Sequence, residues 1–422
     1  MRLSVRPWSA VRPLIWRGRH PFRSALFLGV GSGAIVALLV LAALRLHPSA
    51  QAAPSLASSV ALTSKLPSNQ LVGTSITWLA TSRGLEAPVY QFRVTPLGGP
   101  SRVVRDFSAS ATFTWTPLQQ GQFTIQVSAK SGFAAVSTVK AVAKFVIASR
   151  IKHGNAVVST TNNPLVALYS APPCAAGTLV VEFRAAAGSA PWQTTAAQPC
   201  HAKQSVNVLV AGMRPHTRYD LRHVVSSGKA QTTSGVLPFT TGVPPSGLKI
   251  ATFTVKKAPT SQADLGLPVI YHSLQVNPSP SVANPIATDL NGNLLWYYDT
   301  LHNGLVLVRA LPILPGGTFL IIGRDAHPAA GNDGNVLREI DLAGNTIQET
   351  NIEAVSAQLV RRGQERIYSF NHDAQRLPNG DTAVLGTVER QIGDHVVRGD
   401  MVVVLDADFQ VVWTWDAFDH LT

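Results

Sequence analysis

The residues best suited to chemistry lie near the C-terminal end of the sequence, in the stretch FNHDAQRLPNGDTAVLG. His372 and Asp373 are followed by Arg376, and a Leu-Pro-Asn-Gly turn comes directly after the arginine. A neutral imidazole is a nucleophile or a hydrogen-bond donor near pH 7, and a guanidinium binds paired anionic oxygens bidentately. This combination can bind an anionic group and react with it. The structural alternative is that His372 bonds to backbone at the start of a hairpin, with Asp373 capping the turn rather than orienting the imidazole.

Further candidate residues are spread over the same region of the chain. His327 lies in the polar loop GRDAHPAAGNDG, and His327 and Arg376 are candidates for contacting a bound substrate. His302, Arg390 and His420 are chemically competent too, but loop histidines and surface arginines are usually solvated. The loop that carries His327 lacks the ligand spacing of a calcium site, and no zinc spacing, serine elbow or phosphate-binding glycine loop occurs. The sequence therefore predicts no metal site and no cofactor.

Two kinds of hairpin repeat along the C-terminal part and must position these residues. The stretch from Asp289 to Trp296 recurs at 341–348 and again at 406–413, at offsets of 52 and 65 residues. Between these copies, Leu-Pro-Gly-Gly at 314–317 recurs 63 residues later as Leu-Pro-Asn-Gly at 377–380. Each hairpin predicts two short strands around a tight turn, with glycine at positive φ and an aspartate that bonds to backbone amides two residues on. Repeats of this length with several short strands are typical of propeller blades.

Residues 248–422 are therefore interpreted as part of a β-propeller. They hold about three repeats, whereas closing a ring takes at least four blades, so we expect the propeller to be incomplete in this chain. One strand of each blade lines the axis of a propeller, and that axis is a ready cavity for a ligand.

The alternation of the two hairpins resembles a known family. An Asp-x-x-Gly-x-x-x-Trp hairpin at 289–299 alternates with the His-Asp-x-x-x-Leu-Pro-Asn-Gly hairpin at 372–386, and a further match runs over 402–421. This pattern resembles the N-terminal part of the bacterial arylsulfotransferases, also called arylsulfate sulfotransferases. The resemblance implies an exported enzyme with a β-sandwich and a six-bladed propeller. It also implies transfer of a sulfuryl group from a phenolic sulfate donor to a phenol acceptor, through a sulfo-histidine intermediate.

The resemblance carries over one catalytic residue. His372 stands where the family has an active-site histidine, in a sulfuryl-binding or proton-donating role. A further histidine, an arginine and the nucleophilic histidine belong to later blades of the family, so no residue of this sequence is assigned those roles. We therefore expect the chain to be inactive alone and the complete protein to be the transferase of sulfur-containing groups.

Two β-sandwich modules are predicted ahead of the propeller part. Over 53–150, stretches such as GQFTIQVSA alternate apolar and polar residues, and turn residues recur between them, which predicts an immunoglobulin-like sandwich. Residues 155–247 are predicted to form a second sandwich. Its stretch from Met213 to Tyr219 resembles the fibronectin type III pattern, which implies that the tyrosine hydroxyl bonds back to the backbone. The Pro- and Gly-rich run 242–247 marks the boundary to the propeller part.

The sequence has two cysteines, Cys174 and Cys200. In an exported chain with no other thiol, these residues are expected to form one disulfide. A pair of buried thiols is the alternative that the sequence leaves open. Two cysteines without nearby histidines do not suggest metal ligation.

The N-terminal segment carries signals for export. Residues 1–23 are basic, and 24–45 hold an uncharged run long enough to span a bilayer, so the basic segment is expected in the cytoplasm and the rest outside. The sequence leaves open an uncleaved anchor in the cytoplasmic membrane and a signal cleaved near Ala52. Seven arginines fall within the first 45 residues, whereas the first acidic residue is Glu86, and these seven supply more than half of the net charge of +12. Because the remaining surface is only weakly basic, no nucleic-acid partner is expected.

The sequence thus predicts an all-β protein on the periplasmic or cell-surface side of the membrane, with two sandwich modules, part of a six-bladed propeller and one N-terminal helix. The function it favours is sulfuryl transfer between phenolic compounds. Two alternatives stay open: a non-catalytic binding or adhesion protein, and a quinoprotein dehydrogenase, which would hold a chromophore. The architecture is also compatible with a homodimer.

Overall fold

The computed structural model describes residues 57–188, 190–250, 253–256, 269–273, 284–313, 317–326 and 334–420. Within these ranges almost all regular structure is β-strand, so the all-β prediction is confirmed. The predicted basic segment, the predicted spanning helix and the cleavage position near Ala52 lie outside the described residues. In the part of the chain that is described, no helix is long and apolar enough to cross a membrane.

The first module consists of eight strands in two sheets around one core. These strands are β1 (Ser59–Ser64), β2 (Gln70–Leu71), β3 (Ile76–Arg83), β4 (Pro88–Pro96), β5 (Arg102–Ser108), β6 (Thr112–Trp115), β7 (Gly121–Ser131) and β8 (Val139–Ala148). One sheet has the order β1-β3-β6, and the other contains β2-β8-β7-β4-β5. Side chains of both sheets meet in the core, where the Trp78 ring lies edge-on to Phe145 with centroids 5.3 Å apart.

The second module consists of nine strands, again in two sheets. These strands are β9 (Val157–Thr160), β10 (Ala167–Ala171), β11 (Thr178–Ala185), β12 (Gln193–Thr194), β13 (Gln198–Pro199), β14 (Val206–Val210), β15 (Arg218–Ser227), β16 (Ala230–Thr233) and β17 (Leu237–Thr240). One sheet is β14-β10-β9, and the other is β12-β11-β15-β16 with β13 on β11 and β17 on β15. The Tyr219 hydroxyl accepts a hydrogen bond from the Arg214 amide at 2.8 Å, as the fibronectin resemblance implied. Cys174 and Cys200 form the predicted disulfide.

The C-terminal part contains successive antiparallel meanders. Its elements are β18 (Val269–His272), β19 (Ile286–Asp289), β20 (Leu294–Tyr297), β21 (Leu305–Ile313), β22 (Thr318–Asp325), β23 (Asn335–Asp341), β24 (Thr346–Asn351), α1 (Ile352–Arg361), β25 (Ser369–Arg376), β26 (Thr382–Ile392), β27 (His395–Leu405), β28 (Val411–Asp416) and a 3-10 helix (Ala417–Asp419). We call β18–β20 the first meander, β21–β24 the middle meander and β25–β28 the third meander. The described residues show these meanders but no closed ring of them.

The repeated aspartate turns connect the last two strands of each meander. Asp289, Asp341 and Asp406 each accept hydrogen bonds from backbone amides two and four residues on, at 2.8 to 3.0 Å, which confirms the predicted turn. The first two turns have glycine in the left-handed conformation, but the third has Phe409 there, with φ of 57°. The Phe409 side chain is fully buried between the middle and third meanders, and this burial offsets the backbone strain.

The meanders pack face to face through apolar side chains. Between the first and middle meanders, Trp296 stacks on Phe319 with ring centroids 4.5 Å apart. Between the middle and third meanders lies a core that includes Leu320, Leu337, Val384, Met401 and Val403. Helix α1 adds Val355 and Leu359 to that core, and it begins at Asn351, whose side chain accepts a hydrogen bond from the Ala354 amide at 2.9 Å. The stacking fixes the first strands of the meanders relative to one another.

The first module and the middle meander share one sheet of nine strands. Strand β5 of the module pairs in parallel with β24, the last strand of the meander, at Arg105 and Glu349. Next to this pair, the Thr350 hydroxyl donates a hydrogen bond to the Asp106 carboxylate at 3.0 Å. The sequence did not predict this edge-to-edge junction, because the module and the meander are separate runs of short strands in the chain.

Candidate functional site

A cavity of about 740 Å³ lies where the first strands of the meanders come together. The first meander contributes Tyr271 and Ser273, and the third contributes Asn371 and His372. The middle meander contributes Arg309, Arg324 and Asn335, as well as apolar side chains from β21 and β22. The described lining residues include arginines and a histidine but no acidic side chain. The cavity therefore favours a ligand that carries negative charge.

His372 reaches this cavity through an irregularity in β25. The strand pairs regularly with β26 up to Asn371 and again from Ala374, so His372 and Asp373 form a bulge between these positions. His372 has φ of 40°, which is unusual for any residue with a side chain, and most unusual in the middle of a strand. Bulges redirect side chains and are frequent beside active sites. The imidazole is exposed to the cavity and makes no hydrogen bond to another described residue.

Asp373 does not orient the His372 ring. Its carboxylate accepts a hydrogen bond from the Ala374 amide at 3.0 Å, which stabilises the bulge locally. Asn371, on the other side of the histidine, donates to the Asp400 carboxylate at 3.2 Å. The neighbours of His372 therefore hold the backbone in place and leave its imidazole available for a ligand.

Tyr271 adds a hydrogen-bond donor from the first meander. Burial raises the pKa of its phenol far above the usual range, and the nearby Ser273 hydroxyl offsets this effect only in part. The Tyr271 hydroxyl has no hydrogen bond of good geometry to any described group. The phenol therefore stays protonated at neutral pH and can donate to an oxygen of a bound molecule.

The other sequence candidates lie elsewhere or are engaged. Arg376 does not line the cavity; it bonds to Glu339 of β23 at 2.5 Å and to the Gly380 carbonyl at 2.9 Å, which ties the third meander to the middle one. Arg390 contacts acidic side chains, the nearest being Glu365 at 2.8 Å. His302 and His420 are not among the residues that line the cavity. His327 lies outside the described residues.

The cavity residues that the sequence analysis missed are Arg309, Arg324 and Tyr271. None of them stands near His372 in the chain, and although Arg324 belongs to the stretch GRDAHPAAGNDG, only His327 of that stretch was considered as a candidate. The repeat register was the available signal, because Arg309 lies 63 residues before His372, which is the offset of the Leu-Pro-x-Gly turns. No group of side chains that could hold a metal ion occurs among the described residues.

Comparison with known proteins identifies the class of the C-terminal part. Residues 252–422, which include the meanders and the cavity, match the family described as Arylsulfotransferase (ASST). The resemblance seen in the hairpins is thereby confirmed for this segment. No curated protein matches the chain.

Solved structures with fibronectin type III domains are similar to part of the chain. The FN1-FN3 domains of chicken CNTN1 are 13% identical with a TM-score of 0.19, over 42% of this chain and 62% of that one. A segment of two fibronectin type III domains from chicken tenascin is also 13% identical with a TM-score of 0.19, over 43% of this chain and 98% of that one. The chain thus spans less than two thirds of the first of these structures.

Proposed function

We propose that the protein transfers a sulfuryl group from a phenolic sulfate ester to a phenol, and that the cavity between the meanders binds the ester. The observation that carries this proposal is the placement of His372. Its imidazole lines a cavity whose described lining residues include no acidic side chain, and it makes no hydrogen bond to another described residue. The family match over 252–422 supports the proposal, because it covers the described residues that line this cavity.

The side chains of the cavity suit an aryl sulfate. Such an ester carries one negative charge shared by its sulfate oxygens, and a guanidinium binds oxygens of this kind through paired hydrogen bonds. Phe370, Leu311 and Ile322 offer apolar surface against which an aromatic ring can pack. His372 and Tyr271 can donate hydrogen bonds to the ester oxygens.

The proposed reaction has two steps. A histidine nitrogen attacks the sulfur, the bond between sulfur and the phenolic oxygen breaks, and the departing phenolate takes a proton from a protonated side chain. A second phenol then gives its proton to that same side chain and attacks the sulfur of the sulfo-histidine, the nitrogen–sulfur bond breaks, and the new aryl sulfate leaves with the histidine regenerated. In this scheme His372 holds the sulfuryl oxygens or protonates the leaving phenolate. The resemblance places the nucleophilic histidine on a later blade, so no described residue is given that role.

Binding and turnover of 4-nitrophenyl sulfate, with phenol as acceptor, test this function. The variants are H372A and the control H395A, which removes an exposed imidazole from the hairpin between β26 and β27. We expect H372A to weaken binding at least about tenfold, as for the loss of a hydrogen bond to a charged group. H372A should also abolish the release of 4-nitrophenolate that the active protein shows, whereas H395A should behave like the wild type.

The outcomes separate the alternatives. Equal binding by H372A and the wild type would exclude the proposed site. Release is measured with the complete protein, because the resemblance places the nucleophilic histidine on a later blade. Binding that depends on His372 without any release of 4-nitrophenolate by that protein would favour a non-catalytic binding protein. An absorption band from a bound chromophore would instead favour the quinoprotein alternative.

We also propose that the modules and meanders work outside the cytoplasm. The disulfide between Cys174 and Cys200 supports this location, because structural disulfides form in oxidising compartments. The basic and apolar N-terminal segments support it as well. Fusing alkaline phosphatase, which is active only after export, to residues 1–56 and to residues 46–56 tests the idea. If the fusion to residues 46–56 is as active as the fusion to residues 1–56, the N-terminal segment is not needed for export, and the proposal is contradicted.

A further inference from the structure

The repeat register relates Arg309 to His372. Each residue lies five positions before a Leu-Pro turn, in LPGG for Arg309 and in LPNG for His372. Each also lies in the first strand of its meander, in β21 and β25 respectively. Both strands have an irregularity close to this point, but its position differs. In β21 it comes just before Arg309, which itself pairs with Ile322, whereas in β25 it contains His372. A guanidinium and an imidazole at corresponding repeat positions thus line one cavity.

Arg309 differs from the arginines around it in having no acidic partner among the described residues. Arg338 of β23 pairs with Glu349 at 2.5 Å, and Arg376 of β25 pairs with Glu339 at 2.5 Å. The Arg309 side chain is exposed, lines the cavity and takes part in no such ion pair. A cation without an acidic partner, in a cavity whose described lining residues include no carboxylate, is available for an anionic ligand.

We propose that Arg309 is the residue that recognises the charge of the sulfuryl group, while His372 donates a hydrogen bond to the same group from the neighbouring meander. This inference rests on the proposed function, and it concerns a residue other than the arginine that the resemblance places on a later blade. Arg309 selects ligands in which a single negative charge is shared by oxygens on sulfur next to an aromatic ring. It acts on binding and takes no part in bond breaking.

Benzenesulfonate tests the inference without requiring turnover, because its carbon–sulfur bond is not transferred. Benzenesulfonamide has the same ring and sulfonyl oxygens but no charge at pH 7. We expect R309Q to weaken benzenesulfonate binding at least about tenfold in isothermal titration calorimetry, and to leave benzenesulfonamide binding within about twofold of the wild type. The affinity of R309K for benzenesulfonate should lie between those of the wild type and R309Q, because lysine keeps the charge but loses the paired geometry of the guanidinium.

R83Q is the matched control, since Arg83 is an exposed arginine at the end of β3 in the first module. It should change neither affinity. Thermal unfolding of R309Q and R83Q shows whether either substitution disturbs the fold. If R309Q does not fold, R309K still tests the inference, because loss of the paired geometry should weaken benzenesulfonate binding and leave benzenesulfonamide binding unchanged. The inference is overturned if the wild type does not bind benzenesulfonate, if R309Q binds it like the wild type, or if R309Q loses both ligands equally.

The two proposals fail in different ways. An absence of sulfuryl transfer by the complete protein, together with benzenesulfonate binding that depends on Arg309, would contradict the proposed function and support Arg309 as the anion-binding residue. If R309Q transfers sulfuryl groups and binds benzenesulfonate as tightly as the wild type, the role proposed for Arg309 is wrong, whereas the proposed function is supported.

Discussion

Glu349, in the last strand of the middle meander, forms an ion pair with Arg105 of the first module, with a distance of 3.1 Å between Oε1 and Nη2. Its other oxygen lies 2.5 Å from Nε of Arg338 on the adjacent strand. Glu349 is buried, and the two guanidinium groups hold the pKa of its carboxyl below the usual range against the opposing effect of burial. The first module is thus joined to the cavity-bearing meanders by a buried charge cluster as well as by strand pairing.

Replacing Glu349 by glutamine should destabilise the protein strongly. The E349Q variant leaves Arg105 and Arg338 without their shared counter-charge, and breaking a buried pair from one side costs about 3 to 5 kcal/mol. The control E353Q breaks a more exposed pair with Arg366 and should cost less than about 1 kcal/mol. Urea denaturation of both variants provides the measurement. Similar losses in the two variants would show that the cluster does not secure the junction.

Asp106 should make stability fall as the pH rises. Burial raises the pKa of this carboxyl above its usual 3.8, although Gln91, the Phe107 amide, Thr350 and the charge of Lys130 oppose the shift. The folded chain therefore holds the proton more tightly than the unfolded chain does. The contribution of protonated Asp106 to the free energy of unfolding is therefore fully present below pH 3.8. It is lost as the pH rises through the pKa that this carboxyl has in the folded protein.

The D106N variant removes this titration and keeps a side chain of the same shape. We expect the free energy of unfolding of the wild type to decline relative to that of D106N as the pH rises above 3.8, the usual pKa of the carboxyl. Denaturation at several pH values measures the difference. D394N, which removes an exposed carboxyl from the turn between β26 and β27, controls for the loss of one charge. Parallel pH profiles for wild type and D106N would contradict the expectation.

His372 should be retained at a cost in stability. Its φ of 40° is strained for a residue with a Cβ atom, by about 1 to 2 kcal/mol, whereas glycine adopts it freely. We therefore expect H372G to leave the denaturation midpoint unchanged or to raise it, while it weakens the binding of 4-nitrophenyl sulfate at least about tenfold, as H372A does. Q375G, in a regularly paired position of the same strand, should lower stability by about 0.5 to 1 kcal/mol. Equal destabilisation by the two glycines would argue against strain at His372.

The disulfide should stabilise the second module. Cys174 and Cys200 are 26 residues apart, and closing a loop of this size in the unfolded chain is worth about 3 kcal/mol. The double variant C174A/C200A should therefore unfold at lower urea concentration than the wild type. A reducing agent should lower the midpoint of the wild type and leave that of the variant unchanged. No effect of the reductant on the wild type would show that the bond contributes little.

Local rules explain which features could be predicted from the sequence. The aspartate turns at Asp289, Asp341 and Asp406 depend on residues two and four positions away, so a short motif contains everything that forms them. The hydroxyl bond of Tyr219 is also local, because its partner is the amide of Arg214.

Tertiary structure alone decided the junction and the composition of the cavity. Alternating apolar residues determine which face of a strand is buried, but they carry no information about which edge of a sheet pairs with which. The contact between Asp106 and Thr350 therefore joins residues 244 positions apart with no trace in either stretch. The sequence alone determined that the chain is all-β, that its hairpins repeat and that His372 stands five residues before a Leu-Pro turn. Only the tertiary structure shows that Arg309 and Tyr271 line the same cavity as His372. Face-to-face packing of the meanders, and not their order in the chain, determines which first strands become neighbours.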